Sequence, residues 1–110
     1  MISRDGEYVI MDDGTRLNVG PRWVSLDDAI QTEDSVIMIV DNELSSENVW
    51  RLSKDGKIIW VIDASVDGSP FCGLLRRGNS TNEFCAFTQS GSKYEVSVLN
   101  GRHKLIGASK

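Results

Sequence analysis

The residues of this chain that could do chemistry are few and scattered. His103 is the only histidine, and a Ser–His–Asp relay would need it beside a nucleophile and an orienting acid. Gly101-Arg102-His103-Lys104 supplies neither, and no G-x-S-x-G elbow occurs anywhere. Between two basic residues, His103 reads as a surface side chain. Cys72 and Cys85 are the only cysteines and belong to no CxxC pair, so with one histidine they cannot close a tetrahedral zinc shell. In a reducing compartment they read as free thiols, with a cross-strand disulfide as the minority alternative. Asp63-Ala64-Ser65-Val66-Asp67-Gly68 looks like the opening of a calcium loop, but Leu74 stands at the twelfth position, where a bidentate glutamate is required. No phosphate-cradling glycine motif is present. Asp12-Asp13 and Asp27-Asp28 are adjacent acids of the kind found solvated at turns, and would serve acid–base chemistry only inside a pocket. The expectation is a chain with no catalytic residues, no metal and no cofactor.

Charge is the more informative property. The formal net charge of −4 divides unevenly: residues 1–70 sum to −8 and residues 71–110 to +4. Between Asp27 and Glu47 seven acids (Asp27, Asp28, Glu33, Asp34, Asp41, Glu43 and Glu47) occur with no Lys or Arg. Such a stretch repels nucleic acid and attracts a basic surface. The basic residues of the last third (Arg76, Arg77, Lys93, Arg102, Lys104, Lys110) read as protection of a sheet edge, because nucleic-acid binders are usually basic overall.

These residues must be held by strands. At 110 residues, 40% hydrophobic and 25% charged, the composition is that of one globular domain spanning 1–110. No apolar run is longer than Val36–Val40, which is strand-sized, and the N-terminal residues lack the layout of a signal peptide, so no membrane association and a cytoplasmic location are expected. Glu7–Met11 and Thr15–Val19 flank the turn Asp12-Asp13-Gly14 as a hairpin. Ser25-Leu26-Asp27-Asp28 resembles the start of a short helix. Val36–Val40 is apolar throughout and predicts a central strand buried on both faces. Asn48–Ser53 and Lys57–Ile62 form a second hairpin about Lys54-Asp55-Gly56. Strict alternation predicts that Trp50 and Leu52 share one face and Ile58, Trp60 and Ile62 another, with the two faces packed together. Phe71–Arg76, Glu83–Thr88, Lys93–Leu99 and Arg102–Ile106 then read as a meander; Asn79-Ser80-Thr81 matches a glycosylation sequon but reads as a turn. The fold expected is mostly β: an antiparallel sandwich or open barrel of seven or eight short strands with at most one short helix. Trp50 and Trp60 are expected in the core. Trp23, after Gly20-Pro21-Arg22, is either core, the plainer account, or an exposed binding anchor.

The segment Asn48-Val49-Trp50-Arg51-Leu52-Ser53-Lys54-Asp55-Gly56-Lys57-Ile58-Ile59-Trp60 resembles a small family of bacterial proteins of about this length, and so do Phe87–Val96 and Asn100-Gly101-Arg102. Several of those look like immunity proteins of toxin–immunity pairs, including contact-dependent growth inhibition systems. The first hairpin is also similar to a blade edge of a quinoprotein-type propeller, although 110 residues are too few for the blades a propeller needs. The resemblance covers roughly residues 48–104 and brings no catalytic residue with it. It implies a cytoplasmic inhibitor of a cognate toxin with a basic surface, a nuclease and by preference a ribonuclease, bound as a monomer. The competing expectation is a structural or regulatory β module that self-associates. The partner-binding residues expected are the seven acids from Asp27 to Glu47, with Trp23 as an anchor.

Overall fold

Alternating apolar residues separated by glycine turns make strands almost everywhere in the computed structural model, which describes residues 2–40, 46–78 and 80–108. Among the described residues eleven strands follow one another: β1 (Ser3–Asp5), β2 (Tyr8–Ile10), β3 (Arg16–Asn18), β4 (Ile30–Gln31), β5 (Ser35–Ile39), β6 (Val49–Ser53), β7 (Ile58–Val61), β8 (Phe71–Arg76), β9 (Glu83–Thr88), β10 (Ser92–Ser97) and β11 (His103–Ala108). They form three antiparallel meanders in which every strand pairs with its sequence neighbours: β1-β2-β3, β4-β5-β6-β7 and β8-β9-β10-β11. The expected strand-rich architecture is present, with more and shorter strands than the seven or eight read from periodicity. The two that no segment read from the sequence covers, β1 and β4, span three and two residues and carry little alternation to read.

The β4–β7 sheet is the middle layer. Successive side chains of a strand point to opposite faces, and on β5 this alternation separates two hydrophobic clusters. Ile37 and Ile39 join Val49, Trp60, Ile62, Phe71, Phe84, Tyr94 and Val96 between the middle and C-terminal sheets. Val36, Met38 and Val40 join Val9, Leu17, Val24 and Leu52 between the middle and N-terminal sheets. All five residues of β5 are buried, as a central strand requires.

Three expectations change. Ser25–Asp28 does not start a helix; it forms a bend and turn in which the Ala29 N–H meets the Leu26 carbonyl at 3.3 Å. Five residues separate the Val24–Val40 bridge from Ile30 of β4, too few to hold one. Second, Trp50 and Trp60 lie on opposite faces of the middle sheet, Trp60 in the C-terminal cluster and Trp50 against the N-terminal one. Pairing shifts between Arg51 and Leu52, where Ile59 is the extra residue of a β-bulge, so Ile58 stands opposite Leu52 and leaves the face of Trp60. Third, Trp23 is 61% exposed and packs in no core, which settles its two readings in favour of the surface.

Cys72 is exposed, Cys85 is buried, and both are free thiols. His103 is a tie and not a free surface group. Its Nε2 lies 3.0 Å from the carbonyls of both Asp63 and Ala64, and its ring meets Tyr94 edge-on at 4.8 Å. It thus fastens the loop after β7 to the start of β11. His103→Ala is expected to lower stability by about 1–2 kcal/mol, the size of a hydrogen bond with its ring contact. A urea denaturation series reads this as a lower midpoint with an unchanged slope; an unshifted midpoint would remove His103 from the scaffold.

Candidate functional site

Three tight turns end at one pole of the molecule, and each brings carboxylates. The first is Asp12-Asp13-Gly14 between β2 and β3. Met11 N–H donates to the Thr15 carbonyl at 2.8 Å, the Gly14 N–H returns to Met11 at 3.0 Å, and Gly14 takes φ +88°, a conformation few other residues adopt. Asp13 Oδ1 accepts the Thr15 N–H at 2.9 Å. The second turn joins β4 to β5. Thr32 N–H donates to the Ser35 carbonyl at 2.9 Å, and the Thr32 hydroxyl donates to Asp34 Oδ1 at 3.0 Å, leaving Glu33 exposed at the apex. The third, Lys54-Asp55-Gly56, closes β6 on β7 through the Gly56 N–H to the Ser53 carbonyl at 2.9 Å.

Side chains then stitch the turns together. Gln31 Nε2 donates to Asp12 Oδ2 at 2.7 Å, while Asp12 N–H donates to Gln31 Oε1 at 3.1 Å. Lys54 Nζ reaches Asp13 Oδ2 at 2.7 Å, joining the first turn to the third. Arg51, whose side chain is only 12% exposed, donates to Ser35 Oγ at 2.8 Å, to the Val98 carbonyl at 2.9 Å and to Asp34 Oδ1 at 3.3 Å. The Lys54 and Thr15 hydrogen bonds hold the Asp13 carboxyl far below the usual carboxylate range; the Thr32 hydroxyl and then the Arg51 charge lower that of Asp34. Both groups stay ionised through mildly acidic conditions, because a hydrogen bond to the charged form favours that form.

Beside this pole a cleft of about 810 Å³ opens between the middle and C-terminal sheets. Ile30, Phe84 and Val98 contribute its apolar lining, and Glu33, Asp34, Arg51, Lys54, Arg76 and Glu83 its charged one. Arg76 crosses it to donate to the Gln31 carbonyl at 2.5 Å. The arrangement offers hydrogen-bonding groups of both signs beside an apolar lining. Among the described residues no group of three or more His, Cys, Asp or Glu is placed to hold a metal. Asp67, at the end of the calcium-like segment, instead accepts hydrogen bonds from the Ser90 hydroxyl at 2.7 Å and the Ser69 N–H at 3.1 Å.

The acids singled out from sequence do not form one continuous face. Glu33 and Asp34 stand at the cleft pole. Asp27, exposed, and Asp28, half-buried, lie in the turn leading to β4 along the flank of the middle sheet. Glu47 precedes β6 at the far end, where Val40 N–H bonds to the Asn48 carbonyl. Trp23 is also at that end, next to the Val24–Val40 bridge. The length of β5, roughly 14 Å at about 3.4 Å per residue, separates the two ends. Asp41 and Glu43 lie outside the described residues. Asp12, Asp13, Arg51 and Lys54 join the site without having been picked from the sequence. The signal that could have found them is topological: in a meander, every second turn falls at the same end of the sheet.

Compared with known proteins, the chain matches no family model, no curated protein and no solved structure.

Proposed function

We propose that this chain is a non-catalytic binding protein of the immunity type, which neutralises a cognate toxin by covering a basic active-site cleft with its acidic pole. A nuclease toxin, by preference a ribonuclease, fits the chemistry, because its phosphate-binding cations attract fixed carboxylates in place of substrate. One observation carries the reading: Asp12, Asp13 and Asp34 are brought from two separate turns to one pole and held there by hydrogen bonds, with Glu33 exposed beside them. With Asp55 and Glu83 added to those four carboxylates, and Arg51, Lys54, Lys57 and Arg76 set against them, the pole and its cleft keep a negative balance. Groups ordered before a partner arrives lose less entropy on binding. Trp23, at the opposite end, is not required for this contact.

The test mixes the protein with the toxin domain encoded beside it and follows association by surface-based kinetics. Glu33→Lys is expected to slow association about tenfold at low salt, with less effect as ionic strength rises, since complementary charge acts mainly on the encounter. Glu47→Lys, at the other end, is expected to change the rate less than twofold. The absence of any complex, or a larger loss from Glu47→Lys than from Glu33→Lys, would overturn the reading.

A further inference from the structure

We infer that the outer edge of β7 is an interface between two copies of this chain, joined antiparallel so that two middle sheets become one continuous sheet. The surface begins beside the acidic pole, at the Lys54-Asp55-Gly56 turn, and runs away from it along β7. β7 is the last strand of its sheet, and among the described residues no strand pairs with its far side. Ile62 N–H points inward, donating to the Val49 carbonyl at 2.9 Å, so the alternation of an antiparallel ladder turns the N–H and C=O of Val61 outward. The side chains at this edge are apolar and exposed: Ile58 51%, Ile59 43% and Val61 38%. Edge strands of monomeric sheets usually carry inward-pointing charge or proline to prevent such pairing. Here the protection is limited to the bulge at Ile59 and to Lys57 at the start.

The sequence of the strand identifies the occupant. Lys57-Ile58-Ile59-Trp60-Val61-Ile62-Asp63 is complementary to its own reversal about Trp60. A two-fold axis at Trp60 sets Ile59 of each copy across from Val61 of the other, on the exposed face that both already share. It also brings each Lys57 to the end of the strand where the other copy's Asp63 stands. Lys57 and Asp63 are both exposed; Lys57 Nζ lies 3.8 Å from Asp55 Oδ2 of its own copy, an exposed pair weak enough to exchange for Asp63 of the other. An isologous contact requires this self-complementarity, and cross-strand aliphatic and opposite-charge pairs are what stabilise such a ladder.

Sedimentation velocity on the full chain, from micromolar to sub-millimolar concentration, is the test. The expected result is a species of twice the 12.2 kDa chain mass. Val61→Lys, on an exposed face, should weaken the dimer at least tenfold while the circular dichroism stays unchanged; Ile59→Lys serves if that variant does not fold. Lys57→Asp should also weaken it, and Lys57→Asp combined with Asp63→Lys should restore it. A single-chain mass at the highest concentration, a dimer indifferent to both lysine variants, or a double exchange that restores nothing would each overturn the inference.

Discussion

Gly101→Ala is expected to be among the most damaging single substitutions in this protein, costing about 3–4 kcal/mol. Two separate effects add. Gly101 holds φ +73°, a conformation that costs a residue with a side chain roughly 1–2 kcal/mol. A Cβ at this position would also come within 2.6 Å of Cδ2 and Cε3 of Trp60. That indole cannot retreat, because it is buried, stacks parallel to Phe84 at 6.2 Å, and donates through Nε1 to the Val98 carbonyl at 2.7 Å. Forcing atoms into such a site costs typically 1–3 kcal/mol more. Gly14→Ala separates the two contributions: its φ is +88°, yet a Cβ there meets nothing within 4 Å. Chemical denaturation should show Gly14→Ala losing only the conformational share. Equal losses in the two variants would mean that the Trp60 contact carries no weight.

Asn48→Ala is the second. Asn48 is buried and imitates a strand across the gap between the middle and C-terminal sheets. Its Nδ2 donates to the Phe71 carbonyl at 2.9 Å, and its Oδ1 accepts the Phe71 N–H at 3.1 Å. Alanine leaves both backbone groups of a buried residue without their partner, and each such group costs about 1–3 kcal/mol. A total of about 3 kcal/mol is expected. Since native proteins are stable by about 5–15 kcal/mol, this is a large fraction. Asn48→Asp keeps the acceptor, loses the donor and buries a charge, so it should be at least as harmful. Native-state hydrogen exchange provides the direct check: the Phe71 amide should lose its protection in Asn48→Ala more than the Phe84 amide does. Equal changes at the two amides would argue against a local tie.

The C-terminal meander could be read from sequence almost to the residue. Phe71–Arg76 and Glu83–Thr88 are the observed bounds of β8 and β9, because each is a strand-sized run rich in apolar residues and the turns contain glycine or asparagine. Val36–Val40 announced the twice-buried strand for the same reason, an apolar run bounded by charge. What escaped depends on positions that periodicity does not encode. A bulge at Ile59 adds one residue to β7 and thereby reverses the face of everything before it, and no side-chain type marks it. β1 is Ser-Arg-Asp, held by pairing with β2 and not by burial of its own. The seven acids look like one patch in the chain, but β5 carries the backbone from Asp34 to Val40 across the whole sheet. Linear proximity thus became spatial separation. The same geometry brought Asp12 and Asp13, distant in sequence, beside Gln31 and Lys54.

The simple order of the strands has a kinetic consequence. Each of the three sheets is built from one uninterrupted stretch of chain, with no strand contributed from elsewhere. All named ladders therefore close short loops, and only the stacking of finished sheets joins distant segments. Folding rates rise as contacts become more local. This chain is accordingly a faster folder than a Greek-key sandwich of equal length, whose ladders must wait for remote strands to find each other.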